Sequence, residues 1–306
     1  MEKILKEITY KFGALGDENE IIEYIKNKVV KNFRITDDVL GNLYVYKNKS
    51  ARISVLTPVD EASFFIAGEQ KGFFRFKIIG DYSAIQLVDR IVLFKDRKRG
   101  IIRNISEKDS PELSDLGVEM LDSKKPGIGE PFIIEPSFYK RKDLFLSTNL
   151  DSRAGVAFAL NFLLKNKLSH SLKFIFLCQT RMREKSYYIA GREEKSEIYI
   201  ILRTSPCKDG IEIGRGPVIN IFSRNYVLPV DFKNKILEIL KKSRLKFQLK
   251  AEEDFSYFPV YLKSSGTKKV LEISIPLKYH KNIYKKISKK DILILNSLFE
   301  NFIKKL

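Results

Sequence analysis

Histidine and cysteine are scarce in this sequence, with 2 of each in 306 residues. Two cysteines exclude a disulfide framework and a cysteine-rich zinc cluster. Two histidines leave very little material for a His-rich catalytic metal site. Long apolar runs are also missing, and none approaches the ~18 residues of a membrane span. The opening Met1-Glu2-Lys3-Ile4-Leu5 has no apolar core of signal-peptide length. A cytoplasmic, reduced protein with no membrane segment is the simplest expectation, and Cys178 and Cys207 are then free thiols. There is no internal repeat and no low-complexity tract beyond an enrichment in lysine.

The residues present are those of a globular chain. At 44% hydrophobic and 12% aromatic, it can bury a core, which excludes disorder as its main state. The length suits one large domain or two moderate ones. Lys and Arg total 56 against 38 Asp and Glu, a net charge of +18. Such an excess can mark a polyanion partner, or lysines spread over solvated faces. Basic residues occur in nearly every segment, from Lys26–Lys28 through Lys95–Arg99 and Lys241–Lys250 to Lys285–Lys290, and no recognisable nucleic-acid motif laces them. The sequence therefore favours the solvated reading.

Hydrophobic periodicity divides the chain. Ile21, Ile22, Ile25 and Val29 predict a helix over Glu18–Val30, and strands follow near Asp38–Tyr46 and Arg52–Pro58. From about Ala67 to Leu146 the texture changes to short apolar runs broken by Gly, Lys and Asp. These are Phe73–Ile79, Ala84–Leu87, Arg90–Phe94, Gly100–Ile105 and Pro131–Glu135, with a lone helix near Glu112–Leu116. That spacing suggests a small barrel or sandwich. An α/β pattern then returns, with strands near Leu144–Asn149, Leu172–Cys178, Ile198–Leu202 and Val270–Pro276. Helices are expected over Arg153–Lys165, Asp231–Lys242 and a terminal stripe from Ile292 to Leu306. Continuous apolar strands suit a central sheet covered on both faces.

Six segments, in order, carry a family resemblance. They are Phe12-Gly13-Ala14-Leu15-Gly16-Asp17-Glu18-Asn19-Glu20, Leu40-Gly41-Asn42-Leu43, Asp60-Glu61, Asp151-Ser152-Arg153-Ala154-Gly155, Gly214-Arg215-Gly216-Pro217 and Ile275-Pro276-Leu277-Lys278-Tyr279. On these the chain resembles the glutamyl-aminopeptidase family of cytosolic dinuclear-metal exopeptidases. Members of that family form tetrahedral dodecamers, and some carry an endoglucanase label. The resemblance implies a three-layer α/β/α metallo-aminopeptidase-like domain, here residues 1–66 and 147–306, with a small β-barrel dimerisation domain inserted at 67–146. It also implies two zinc or cobalt ions. Metals polarise the scissile carbonyl and lower the pKa of water, while a Glu moves protons.

Carried over residue by residue, most of that machinery is missing. The first ligand His is Pro58, in Pro58-Val59-Asp60-Glu61. The bridging Asp is kept as Asp151. The general-base Glu is Thr180 and the adjacent ligand Glu is Arg181. The next ligand Asp falls at Arg203. The last His is His280 if one residue is deleted, and Lys281 otherwise. Asp60 is retained. The resemblance is thus to a degenerate member, with vestigial ligands at Asp151 and His280 and no cofactor expected. Arginines at two former carboxylate positions lead us to expect a charge network of Asp60, Asp151, Arg153, Arg181 and Arg203 in place of the metals, because unpaired buried carboxylates are costly. The alternative is that these side chains turn to solvent.

Other sites are less supported. His170 reads as a loop residue. A nucleophile built from Cys178 or Cys207 with His280 needs geometry no sequence supplies. Glu252-Glu253-Asp254 reads as a solvated acidic loop. Gly214-Arg215-Gly216 lacks a dinucleotide fingerprint. The expected function is a catalytically deficient homologue, either structural and regulatory or peptide-binding, assembling with itself or with paralogues through the barrel. An active aminopeptidase with a remodelled site, and a polyanion-binding protein on the same fold, are the alternatives.

Overall fold

The computed structural model describes residues 1–165, 172–182, 185–224, 226–252, 266–267 and 269–306. His170, Glu253 and Asp254 lie outside the described residues, as does the side chain of Glu252. Helices α1 (Glu2–Thr9) and α2 (Asn19–Val29) precede strands β1 (Arg34–Asp37), β2 (Leu43–Tyr46) and β3 (Ile53–Pro58). Next come β4 (Ser63–Gln70), β5 (Phe73–Ile79), helix α3 (Ala84–Leu87), β6 (Ile91–Phe94), β7 (Arg99–Asn104), β8 (Leu116–Met120) and β9 (Pro131–Ile134). A hairpin, β10 (Phe138–Arg141) and β11 (Leu144–Ser147), leads to helix α4 (Leu150–Lys165). The remainder runs β12 (Leu172–Leu177), α5 (Lys185–Glu193), β13 (Ile198–Pro206), β14 (Val218–Ser223), β15 (Tyr226–Val227) and α6 (Val230–Ser243). It ends with β16 (Gln248–Glu252), β17 (Val270–Leu277), β18 (Lys285–Ser288) and α7 (Lys289–Lys305).

The central sheet has the order β1-β2-β12-β3-β13-β17-β14-β15, with β16 on β14. Its middle strands β12, β3, β13 and β17 are parallel. Alternation along them sends residues to two cores. Val55, Phe174, Phe176, Ile200 and Leu202 face α1, α2, α4, α6 and α7. Leu56, Ile175, Leu177, Tyr199 and Ile201 pack with Tyr187 and Ala190 of α5. The result is a mixed α/β body layered on both faces of the sheet.

Helix α4 is apolar nearly all round, as a helix enclosed by protein must be. Gly155 lets it lie directly on the sheet. A Cβ there would sit 2.6 Å from Thr57 Oγ1 and 3.0 Å from the Leu202 carbonyl oxygen. This close approach brings Asp151, one turn earlier, over the ends of β3 and β13.

Strands β4-β5-β8-β7-β6-β9 close into a barrel around Phe64, Phe76, Phe94 and Phe132. Ring centroids of Phe64 and Phe94 each lie 5.1 Å from that of Phe132. The barrel strands span Ser63 to Ile134, displaced from the 67–146 read from texture. The β10-β11 hairpin instead pairs with β18 in a separate three-stranded sheet. Ala84–Leu87 is helical rather than extended, because Ser83 and Gln86 form a reciprocal capping box. The Glu112–Leu116 helix is a single 3₁₀ turn, Leu113–Asp115. Among the described residues no helix is long and apolar enough to cross a membrane.

Lys173, the one charge in apolar β12, is buried and forms an ion pair with buried Glu194. Its ammonium lies 5.6 Å from the centroid of the Tyr46 ring, in the cross-strand position. Lys173→Met would strand the Glu194 carboxylate and should cost about 3–5 kcal/mol in urea unfolding. The double variant K173M/E194Q should be markedly less damaged than the single one. Additive losses would refute a coupled pair.

Candidate functional site

Parallel strands gather ligand sites at their carboxyl ends. Here the ends of β3, β12 and β13 meet the start of α4. A cavity of about 330 Å³ opens between them, with Pro58, Asp60, Asp151, Thr180, Arg181 and Arg203 in its wall.

Asp60 is buried at 1% exposure, yet no arginine side chain is hydrogen-bonded to it among the described residues. Its Oδ1 accepts from the Thr180 amide at 2.9 Å and the Thr180 hydroxyl at 2.6 Å. Its Oδ2 accepts from the Arg181 amide at 2.9 Å. The preceding amide, Gln179, donates to Glu18 Oε1 at 2.9 Å. Three successive amides after β12 therefore hold two buried carboxylates. Gln179 reaches this geometry at a φ of 54°.

Asp151 is bracketed by two cations. Arg181 Nη2 donates to its Oδ2 at 3.0 Å, and Lys285 Nζ lies 3.4 Å from its Oδ1. Lys285 is 2% exposed and also donates to the Tyr82 hydroxyl at 2.9 Å and the Thr148 carbonyl at 2.8 Å. All three directions of its ammonium are thus used. Burial pushes the Asp151 pKa up, but Lys285 and Arg181 outweigh it and hold the carboxyl below its usual range. Burial likewise opposes charge on Arg181, and Asp151, Asp60 and Tyr82 together carry its pKa upward.

The other two arginines of the expected network have different partners. Arg203 Nε donates to Glu272 Oε1 at 3.0 Å, one strand over on β17. Glu272 is 1% exposed, so its demand for a counter-charge captures Arg203. Arg153 is fully buried, and its five N–H donors meet five acceptors. These are the Ile8, Val59 and Lys11 carbonyls, Ser152 Oγ and Glu61 Oε1. Gly13 is required beside it, since a Cβ would come within 2.5 Å of Arg153 Nη2. Arg153 thus ties the opening turn to the Asp-Glu loop, outside the cavity.

His280 is half-buried. Its pKa is lowered by desolvation and by Lys281 and Lys208, with Asp81 opposing. It is not in the cavity wall, and Lys281 is exposed. The thiols are also apart from the cavity. Cys178 donates to the Gly41 carbonyl at 3.2 Å, and burial raises the pKa of both Cys178 and Cys207. The Gly214-Arg215-Gly216 turn holds a carboxylate of the chain itself: its two glycine amides each donate at 2.7 Å to buried Asp291.

These donors do not fit a dinuclear metal centre. Pro58, Arg181 and Arg203 in the cavity wall offer no ligand atom for a divalent ion, and Asp151 is already paired with two cations. Among the described residues no group of three or more His, Cys, Asp and Glu is placed to hold an ion. The sequence reading missed Lys285, Glu272 and Glu18. Lys285 was hidden in a lysine run. Glu272, an acid within an apolar strand, was the available signal for a buried counter-charge.

Glu18 accepts from Gly16 N at 3.0 Å as well as from Gln179. Burial raises its pKa from 4.5 to about 7, with nearby Asp60 adding to the rise and the backbone donors opposing it. The folded state then holds this proton more tightly than the unfolded chain. Stability from this group is fully present below pH 4.5 and is lost as pH rises to about 7. Glu18→Gln keeps an acceptor without the charge. In urea unfolding it should match the parent near pH 4.5 and exceed it at pH 8 by about 1–3 kcal/mol. A parent and variant with the same pH profile would remove Glu18 as the cause.

The sequence model of the M42 glutamyl aminopeptidase family matches residues 41–298. Among curated proteins nothing matches. Solved structures do. The TET1 peptidase of Pyrococcus horikoshii, which can assemble into a tetrahedron or a large octahedral shell, superposes with a TM-score of 0.88. Its identity is 20%, over 100% of this chain and 99% of its own. A TET aminopeptidase from a marine-sediment thaumarchaeote gives 0.89 at 16% identity, covering 100% of this chain and 97% of its own. A Thermotoga maritima protein described as an endoglucanase gives 0.79 at 22%, covering 98% and 96%. At such identities these likenesses speak to fold. The family match, which extends over most of the sequence, shows that the chain belongs to the M42 glutamyl aminopeptidase family.

Proposed function

We propose that this chain is a catalytically deficient member of its family, acting as a structural or peptide-binding homologue. The observation that carries this reading is the bracketing of Asp151 by Arg181 and Lys285, at 3.0 and 3.4 Å. A carboxylate that would bridge two divalent ions is neutralised here by two side chains. Both cations would repel an incoming metal at short range. At the general-base position, Thr180 offers a hydroxyl that donates to Asp60. Such a group cannot take a proton from water at neutral pH. Binding without cleavage needs only the cavity and its polar rim, and both remain.

Self-assembly is part of the proposal. The Pyrococcus horikoshii relative forms closed shells, and the barrel is retained here as a complete unit. Assembly of this chain with itself, or with an intact paralogue, through that barrel is the arrangement we expect.

The test uses the purified full chain with aminoacyl-anilides, acidic ones included, with and without zinc or cobalt. Metal content is read on the same sample. We expect no hydrolysis above the metal-only blank and no stoichiometric metal. Two tightly bound equivalents together with turnover would sink the proposal and leave an active aminopeptidase with a remodelled site.

A further inference from the structure

The β10-β11-β18 sheet has one buried face and one open face. Phe145, Ser147, Lys285 and Ile287 face inward. Residues directly opposite in antiparallel strands share a face. Tyr139 lies opposite Leu146, which lies opposite Lys286, and Lys286 bridges to Lys278. One outward row is therefore Tyr139, Leu146, Lys286 and Lys278. Arg141, two residues from Tyr139, belongs to the same face, as does Tyr284, two before Lys286.

Three tyrosines stand in the open here. Tyr139 is 58% exposed, Tyr279 47% and Tyr284 41%. The rings of Tyr139 and Tyr284 are neighbours, with centroids 6.2 Å apart. Tyr279 has the Lys278 ammonium 5.3 Å and the Lys286 ammonium 5.0 Å from its ring centroid. Single exposed aromatics need no explanation, but three on one face among cations form a platform.

The charge around this platform is predominantly positive. From Lys278 to Lys290 there are six lysines and no Asp or Glu, and all but the inward Lys285 are at least partly exposed. Lys140, Arg141 and Lys142 add three more cations. Among the described residues three acids approach: Glu2, paired with Lys140 at 2.8 Å, Asp143, 3.9 Å from Lys290, and exposed Asp81, which acts on His280.

We propose that this face binds single-stranded nucleic acid, with Tyr139, Tyr284 and Tyr279 stacking bases and Lys278, Lys286 and Arg141 contacting phosphates. Sequence-tolerant binding of single strands needs this combination of a basic track and stacking rings. A duplex hides its base faces, and a ligand with anionic groups alone gains nothing from tyrosine rings. The proposal is independent of the fate of the metal site.

Fluorescence anisotropy of the full chain with labelled oligo(dT) and oligo(U) tests it, at low and at physiological salt. Heparin serves as a polyanion without bases. Y139A/Y284A changes only exposed side chains. It should weaken oligonucleotide binding roughly tenfold and leave heparin binding unchanged. K278A/K286A should weaken both ligands and flatten the salt dependence. The proposal is overturned by no binding at low salt, or by equal losses on heparin and oligonucleotide in the tyrosine variant. It also falls if that variant binds oligonucleotide normally while changing the mass of the assembly, or while losing affinity for phosphatidylserine vesicles.

Discussion

A guanidinium removed entirely from water is the constraint around which this molecule is arranged. Arg153 has no exposed surface, and a buried ion without partners costs several kcal/mol. Its five donors must be met from segments far apart in the chain, and they are. Helix α1 supplies Ile8, the turn after it supplies Lys11, the loop after β3 supplies Val59 and Glu61, and α4 supplies Ser152. The Glu61 amide also donates to the Gly13 carbonyl at 3.1 Å, closing the same knot. Satisfying one side chain therefore fixes where the first turn, the strand end and the central helix meet. The cavity wall is the other side of that junction, because Asp60 and Asp151 are sequence neighbours of Glu61 and Arg153.

The same electrostatic demand shapes the cavity. A buried carboxylate must be answered by metals, cations or dipoles. Asp60 is answered by amides and a hydroxyl, Asp151 by Arg181 and Lys285, and Glu272 by Arg203 and the Ser274 hydroxyl at 3.0 Å. Arg181 links the first two acids, its amide on Asp60 and its guanidinium on Asp151, while Glu272 is met on the neighbouring strand. At Asp151 the charge is balanced by an ammonium and a guanidinium, neither of which carries the Lewis acidity of a metal ion.

Much of this could be read in the sequence. Helix α4, the parallel strands and the presence of an all-β insert all carried strong periodicity, and the motif order pointed to the family. The limits were physical. Arg153 and Glu61 are 92 residues apart, and no local pattern announces such a pair. Short strands such as β10 and β18 earn their state from pairing with each other's neighbours, not from propensity. Ala84–Leu87 alternates like a strand until Ser83 and Gln86 cap it. Arg203 was assigned by position to the carboxylates of the cavity, but strand adjacency gives it Glu272.

The positive balance divides in the same way. Arg153, Lys98, Lys173, Lys250 and Lys285 are all buried. Each of the pairs Arg153–Glu61, Lys98–Glu130, Lys173–Glu194 and Lys285–Asp151 neutralises an acid within the fold. Those charges add nothing to an outward field. Strand β18 shows the division at single-residue resolution. Its two-residue period turns Lys285 inward to Asp151 and Lys286 outward beside Tyr279. Two adjacent lysines, indistinguishable by composition, serve the interior of the site and the open face of the sheet. Strand alternation, rather than the number of lysines, therefore determines which part of the excess charge a partner can meet.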